Sequence, residues 1–222
     1  MMIYHNDNIN MLKGIYSQAN GFTQVMITLF VSFSSLILCM AAQFFVLWFV
    51  CKPESWEVFN EMMSNDISLL KLTQAVQAIG LFIFPAFIAA FLLTENSISD
   101  YLSLKNAANI DLYILVAMAA IVALPLVNSL AELNNNISLP AFFQGFENWA
   151  RELENSAKEL TEKFLSVSTI PGLLVNLFVI AVLAAVGEEL IFRGVLQRIF
   201  SHWTKSETLG IWITAFVFSV VH

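Results

Sequence analysis

Charge is scarce in this chain, and positive charge scarcer still: charged residues fill 12% of its 222 positions, with 10 Lys and Arg against 17 Asp and Glu. The first shortage, beside 58% apolar residues and a mean hydropathy of +0.74, excludes an ordinary soluble domain. The second argues against nucleic acid as a partner and gives anionic lipid no overall attraction. Only two cysteines occur. Cys39 and Cys51 share the first hydrophobic run about 18 Å apart along a helix axis, too far to bridge within it, so they leave the redox compartment open. The segment before Val25 carries one basic residue, Lys13, and many Asn. That is unlike the basic leader of a cleavable signal peptide, so the first span is expected to be retained.

What is present is a series of long apolar runs. Val25 to Cys51, broken only by Gln43 and a few Ser and Thr, exceeds the roughly 20 residues that a membrane span requires. Further spans are expected over Leu72 to Leu93 and Leu112 to Leu130, each with one mid-span proline, Pro85 and Pro125, where a kink is expected. From Ala141 to Val167 the period changes. Phe142, Phe146, Trp149, Leu153, Ala157, Leu160 and Phe164 recur at steps of three and four, opposite Glu147, Arg151, Glu152, Glu154, Lys158, Glu159, Glu162 and Lys163, which predicts an amphipathic helix. It suits a helix in the membrane interface or one packed on its own bundle. A fourth hydrophobic helix runs from Pro171 to Phe200, and after a polar stretch from Ser201 to Glu207 a fifth apolar segment reaches His222. The fold class is therefore all-α, a polytopic transmembrane helix bundle with one amphipathic interfacial helix. Lys and Arg divide almost evenly between the two sides of the first four spans and set no orientation.

Inside the last two segments lie groups that hydrocarbon disfavours. Glu188, Glu189, Arg193 and His222 sit at membrane depth, where ionisable residues face a bundle interior or a wet cavity and mark a functional site by default. Glu189 and Arg193 are four apart, with the acid N-terminal, and are expected to pair on one helix face. Glu188 is rotated about 100° from that face and is left to address another helix. Gly187 beside it leaves room for close helix approach. If the two helices are straight and antiparallel, Glu188 and His222 both lie about 20 Å from the intervening turn. A carboxylate and an imidazole at one level can take a proton from water and direct the hydroxide at a peptide carbonyl, given donors for the oxyanion. No serine or cysteine nucleophile is required.

Glu188-Glu189-x-x-x-Arg193, continued by Gly194-Val195-Leu196-Gln197, and then Phe218-x-x-x-His222, resemble the first two motifs of the CPBP family. These are the CAAX prenyl proteases and bacteriocin-processing enzymes, also called the Abi family. The resemblance covers residues 171 to 222 and divides the chain into N-terminal helices, 1 to 170, and the first part of a protease core. It implies an intramembrane endopeptidase in which Glu188 and His222 are catalytic and Glu189 and Arg193 support the site or the substrate. The substrate would be a membrane-associated peptide or protein, prenylated or a leader peptide, and the location the plasma (inner) membrane of a prokaryote. The family pattern continues with a further His and an Asn that hold the oxyanion. Because this chain stops at His222, it is expected to be a C-terminally incomplete copy, inactive by itself. Some family members are described as metalloproteases. Zinc on Glu188 and His222 is the alternative here, but there is no His-Glu-x-x-His, His5 and His202 lie near polar ends, and Arg193 would repel a cation. A glutamate-dependent mechanism without a cofactor is expected. The competing class is a non-catalytic membrane scaffold, a bacteriocin-immunity protein or a transporter fragment, since transporters also keep acids at mid-membrane. Against a transporter, no repeat relates the first three spans to the last two.

Overall fold

The computed structural model describes residues 12–105, 109–136, 140–166 and 169–221. Among these the regular elements are all helical. Four helices are long and apolar enough to cross a membrane: α1 (Gly21–Cys51), α3 (Ile67–Leu93), α5 (Ile110–Asn136, apolar to Leu133) and α7 (Ile170–Thr204). Between α1 and α3 lies α2 (Trp56–Asn65), and a single turn, α4 (Ile98–Tyr101), follows α3. The amphipathic helix is α6 (Gln144–Leu165), and the last helix is α8 (Glu207–Val221), 15 residues long. The expected polytopic bundle is what the chain forms.

The helices begin where capping chemistry allows. Asn20 accepts from the Thr23 amide at 2.8 Å, satisfying one orphan donor, and Asp66 accepts from the Ser68 amide at 2.7 Å and the Leu69 amide at 3.3 Å, satisfying two. α3 therefore begins at Ile67, ahead of the expected Leu72. Pro171 stands in the first turn of α7, where a missing N–H costs nothing. α7 also runs past Phe200 to Thr204 and stops at Lys205, which adopts the left-handed conformation at φ 54°. The polar residues 201 to 204, expected in a turn, stay helical because Ile199 and Phe200 are buried and anchor that turn.

Contacts divide the chain into two compact units, Met1–Lys105 with Phe164–His222, and Asn106–Lys163. In the first unit α1 inverts the soluble pattern. Its buried face is Gln24, Thr28, Ser32, Ser35, Gln43 and Leu47, while Phe30, Phe33, Leu38, Phe45 and Phe49 are exposed. In lipid the outside is as apolar as the core, so small and polar side chains go inward, where they allow close backbone approach and find partners. Gln43 Nε2 donates to Thr73 Oγ1 of α3 at 2.7 Å. A Cβ on Gly80 would stand 3.2 Å from Cα of Leu36, which shows how near α3 comes to α1. Pro85 is accommodated by a wide π turn over Ile79–Ile83, immediately before the α-helix resumes at Phe84. That turn is the form taken here by the distortion expected at the proline.

The buried core joins Ala86, Ala89, Ala90 and Leu93 of α3 to Leu190, Ile191, Phe192, Val195, Leu196, Ile199 and Phe200 of α7, with Leu102 between them. The half of α7 that carries the ionisable motif is thus the half that packs most tightly. In the second unit, Glu147 and Arg151 of α6 form an i,i+4 ion pair at 2.9 Å, and the stripe of Phe146, Trp149 and Leu153 is exposed.

Candidate active site

Local geometry at the motif departs from a regular helix. Ala184–Glu188 is α-helical, and Glu189–Leu196 winds as a π segment, the third among the described residues after Ile79–Ile83 and Leu177–Leu183. π turns of this kind concentrate at functional sites, because the extra residue per turn re-aims the side chains around it. Gly187 makes the expected close approach. A Cβ there would come 2.9 Å from Cβ of Phe82 and 3.6 Å from the Ala78 carbonyl oxygen, so the motif is pressed against the π turn of α3.

Glu189 and Arg193 form the expected ion pair, with Arg193 Nε 3.2 Å from Glu189 Oε2. Both side chains are exposed, at 57% and 72%, and line a cleft, so the pair is not part of the buried core. Glu188 is half-buried and does not line the cleft into which Glu189 and Arg193 project. The two adjacent acids therefore face different surroundings, as the 100° rotation requires. His222 lies outside the described residues. Four positions earlier in sequence, the rings of Phe192 in α7 and Phe218 in α8 meet edge to face with centroids 5.1 Å apart. Phe192 follows Glu188 by four residues, and Phe218 precedes position 222 by four residues in sequence. Among the described residues no three His, Cys, Asp or Glu side chains are grouped as a metal site.

Sequence reasoning missed the cleft itself. It has a volume of about 1170 Å³ and is bounded by the C-terminal half of α7, the start of α8 and the α4 region. Arg198, one turn beyond Arg193, is held there by long-range contacts. Its Nη2 donates to Ser103 Oγ at 2.5 Å and reaches the Asp100 carbonyl oxygen at 3.5 Å, and its guanidinium lies over the Tyr101 ring at 5.2 Å. The only local signal was the four-residue step from Arg198 to His202, both of which line the cleft. Burial raises the Tyr101 hydroxyl above its ordinary value of 10.0, partly offset by Arg198. A raised folded-state value favours the neutral phenol, so the stability it contributes is complete below pH 10 and is lost as pH rises through the folded value. The ultraviolet difference titration between the protein and its Tyr101→Phe variant should show a midpoint above 10.0, moved further up by Arg198→Gln. A midpoint at or below 10.0 would contradict the burial seen here.

Residues 170–222 match the family model described as type II CAAX prenyl endopeptidase Rce1-like. No curated protein and no solved structure matches the chain. The matched span contains both motifs, Glu188 to Arg193 and Phe218 to His222, and supports the family resemblance drawn from them.

Proposed function

We propose, on the strength of that match, that this protein is an intramembrane endopeptidase in which Glu188 and His222 activate water against a peptide bond of a membrane-associated substrate. The observation that supports the reading is the Phe192–Phe218 contact, because it brings together the two helices whose sequences carry the two motifs. Glu188 accepts a proton from water while the water oxygen bonds to the scissile carbonyl carbon. His222 shares that proton and passes it to the departing amine, so the C–N bond breaks and an acid and an amine leave. Glu189 and Arg193, already paired, hold the helix face beside the site. The substrate class is a prenylated tail or a leader peptide, and the location is the plasma membrane of a prokaryote. The bilayer supplies both solvent and substrate, and nucleic acid has no part.

The mechanism proposed uses no metal. Cleavage of a membrane-associated peptide by the intact protein should survive exhaustive zinc removal, checked by metal analysis of the same sample. Activity that disappears with zinc and returns on its addition would replace the glutamate mechanism with zinc held by Glu188 and His222.

A further inference from the structure

The cleft on the Glu189 face has a second character that the proposed proteolysis does not use. Arg198 and His202 occupy the last two turns of α7, a helix long enough to cross a membrane, and the chain leaves that helix at Lys205. The end of a span lies at headgroup depth. Deeper in the cleft Val186, Leu190 and Ile211 line the wall toward the middle of the span, beside Glu189 and Arg193, which are paired with each other. The cleft is therefore amphiphilic, with Arg198 and His202 at the mouth and, beneath them, an apolar wall interrupted by one mutually neutralised ion pair.

The charge at the mouth is unevenly matched. Asp100 is engaged by Lys105 at 2.8 Å and Glu189 by Arg193 at 3.2 Å, whereas among the described residues Arg198 makes no ion pair. It is instead positioned by neutral partners, the Ser103 hydroxyl, the Asp100 carbonyl and the Tyr101 ring, which fix its direction without cancelling its charge. A guanidinium fixed in this way presents its remaining donors as a fork suited to a phosphate. Two acids stand in the wall: Glu189 is taken up by Arg193, and Glu207, at the start of α8, works against an anion. The net charge of −7 gives no long-range attraction, so any anion bound here is held by short-range contacts.

We propose that this cleft binds one anionic phospholipid, its phosphate on Arg198 with His202 beside it and an acyl chain along Val186, Leu190 and Ile211. Basic pockets between spanning helices at an interface take such headgroups. The reading is independent of proteolysis. Arg198 is ten residues beyond Glu188, about 15 Å along the axis, and Glu188 is not in the cleft wall.

The test is native mass spectrometry and titration of the intact protein, in detergent, with phosphatidylglycerol against phosphatidylcholine of the same chains. Wild type should retain one phosphatidylglycerol in preference to phosphatidylcholine. Arg198→Gln should weaken that binding about tenfold, the loss of one charge-assisted contact. Glu207→Gln should strengthen it several-fold, an increase that a misfolded variant would not give. Val186→Trp, which narrows the cleft without touching Arg198, should weaken it as well. Equal binding of the two lipids, or indifference to both Arg198→Gln and Glu207→Gln, overturns the proposal. Competition by inorganic phosphate at the affinity of the lipid would show an anion site with no role for the acyl chain. Displacement of the lipid by a prenylated peptide at matching affinity would give the cleft to substrate, and either result overturns it too.

Discussion

Cleavage by the Glu188→Gln variant of the intact protein is expected to fall by about 10² to 10⁴-fold, the usual range for loss of a general base. The fold should survive. Glu188 is half-buried at the junction of an α-helical stretch and a π segment, and Gln keeps its shape while removing its charge. Glu189→Gln is the informative partner experiment. That side chain faces the cleft and pairs with Arg193 in an exposed geometry, so its loss should cost far less activity than the loss of Glu188. Equal loss from both variants would mean that the two acids act as one unit and would remove the separate roles assigned here. Unchanged function in Glu188→Gln would favour the non-catalytic scaffold over the enzyme.

The second large effect is expected at a residue with no chemistry. Gly210 of α8 faces Ser201 of α7 so closely that a Cβ at 210 would stand 2.7 Å from the Ser201 amide nitrogen and 2.8 Å from its Cα. These are backbone atoms, which cannot swing away as a flexible side chain would. Two terms then compete in Gly210→Ala. Helix propensity favours Ala by about 1 kcal/mol, and overpacking of a tight crossing opposes it by about 1–3 kcal/mol. Because both helices must move apart for the methyl group to fit, overpacking wins. The variant should lose on the order of 2 kcal/mol of stability in detergent. It should also lose proteolysis, because separating α7 from α8 pulls Phe192 from Phe218 and misaligns the two motifs. Gly145→Ala is the control. Its Cβ meets nothing within 4 Å, so it should melt like wild type. A Gly210→Ala protein that melts and cleaves normally would show that the crossing is looser than described.

Much of the molecule was legible from its residues taken in order. Apolar run lengths located the four crossing helices, and the three-and-four spacing located α6, because both depend on the backbone period and on nothing distant. The Glu189–Arg193 pair was legible for the same reason, being an i,i+4 contact within one helix. Gly187 announced close packing, and Phe82 supplied it.

The rest was hidden because it depends on neighbours far along the chain. Hydrophobicity does not tell the inner face of a span from its outer face when the solvent is itself hydrocarbon, so the inward turn of Gln24, Thr28, Ser32, Ser35 and Gln43 could be settled only by packing. The π turns before Pro85 and through Glu189–Leu196 have no residue signature of their own, and the close crossing of Gly210 on Ser201 exists only once two helices meet. Nothing adjacent in sequence sets Arg198 apart; Ser103 and Tyr101, which lie against it, are nearly a hundred positions earlier. The order of the residues determined which segments are helices, which cross the bilayer and where the ionisable groups lie along them. Tertiary structure alone decided that Glu189, Arg193 and Arg198 face the cleft and Glu188 does not, because facing is set by contacts between spans and not by the period within one.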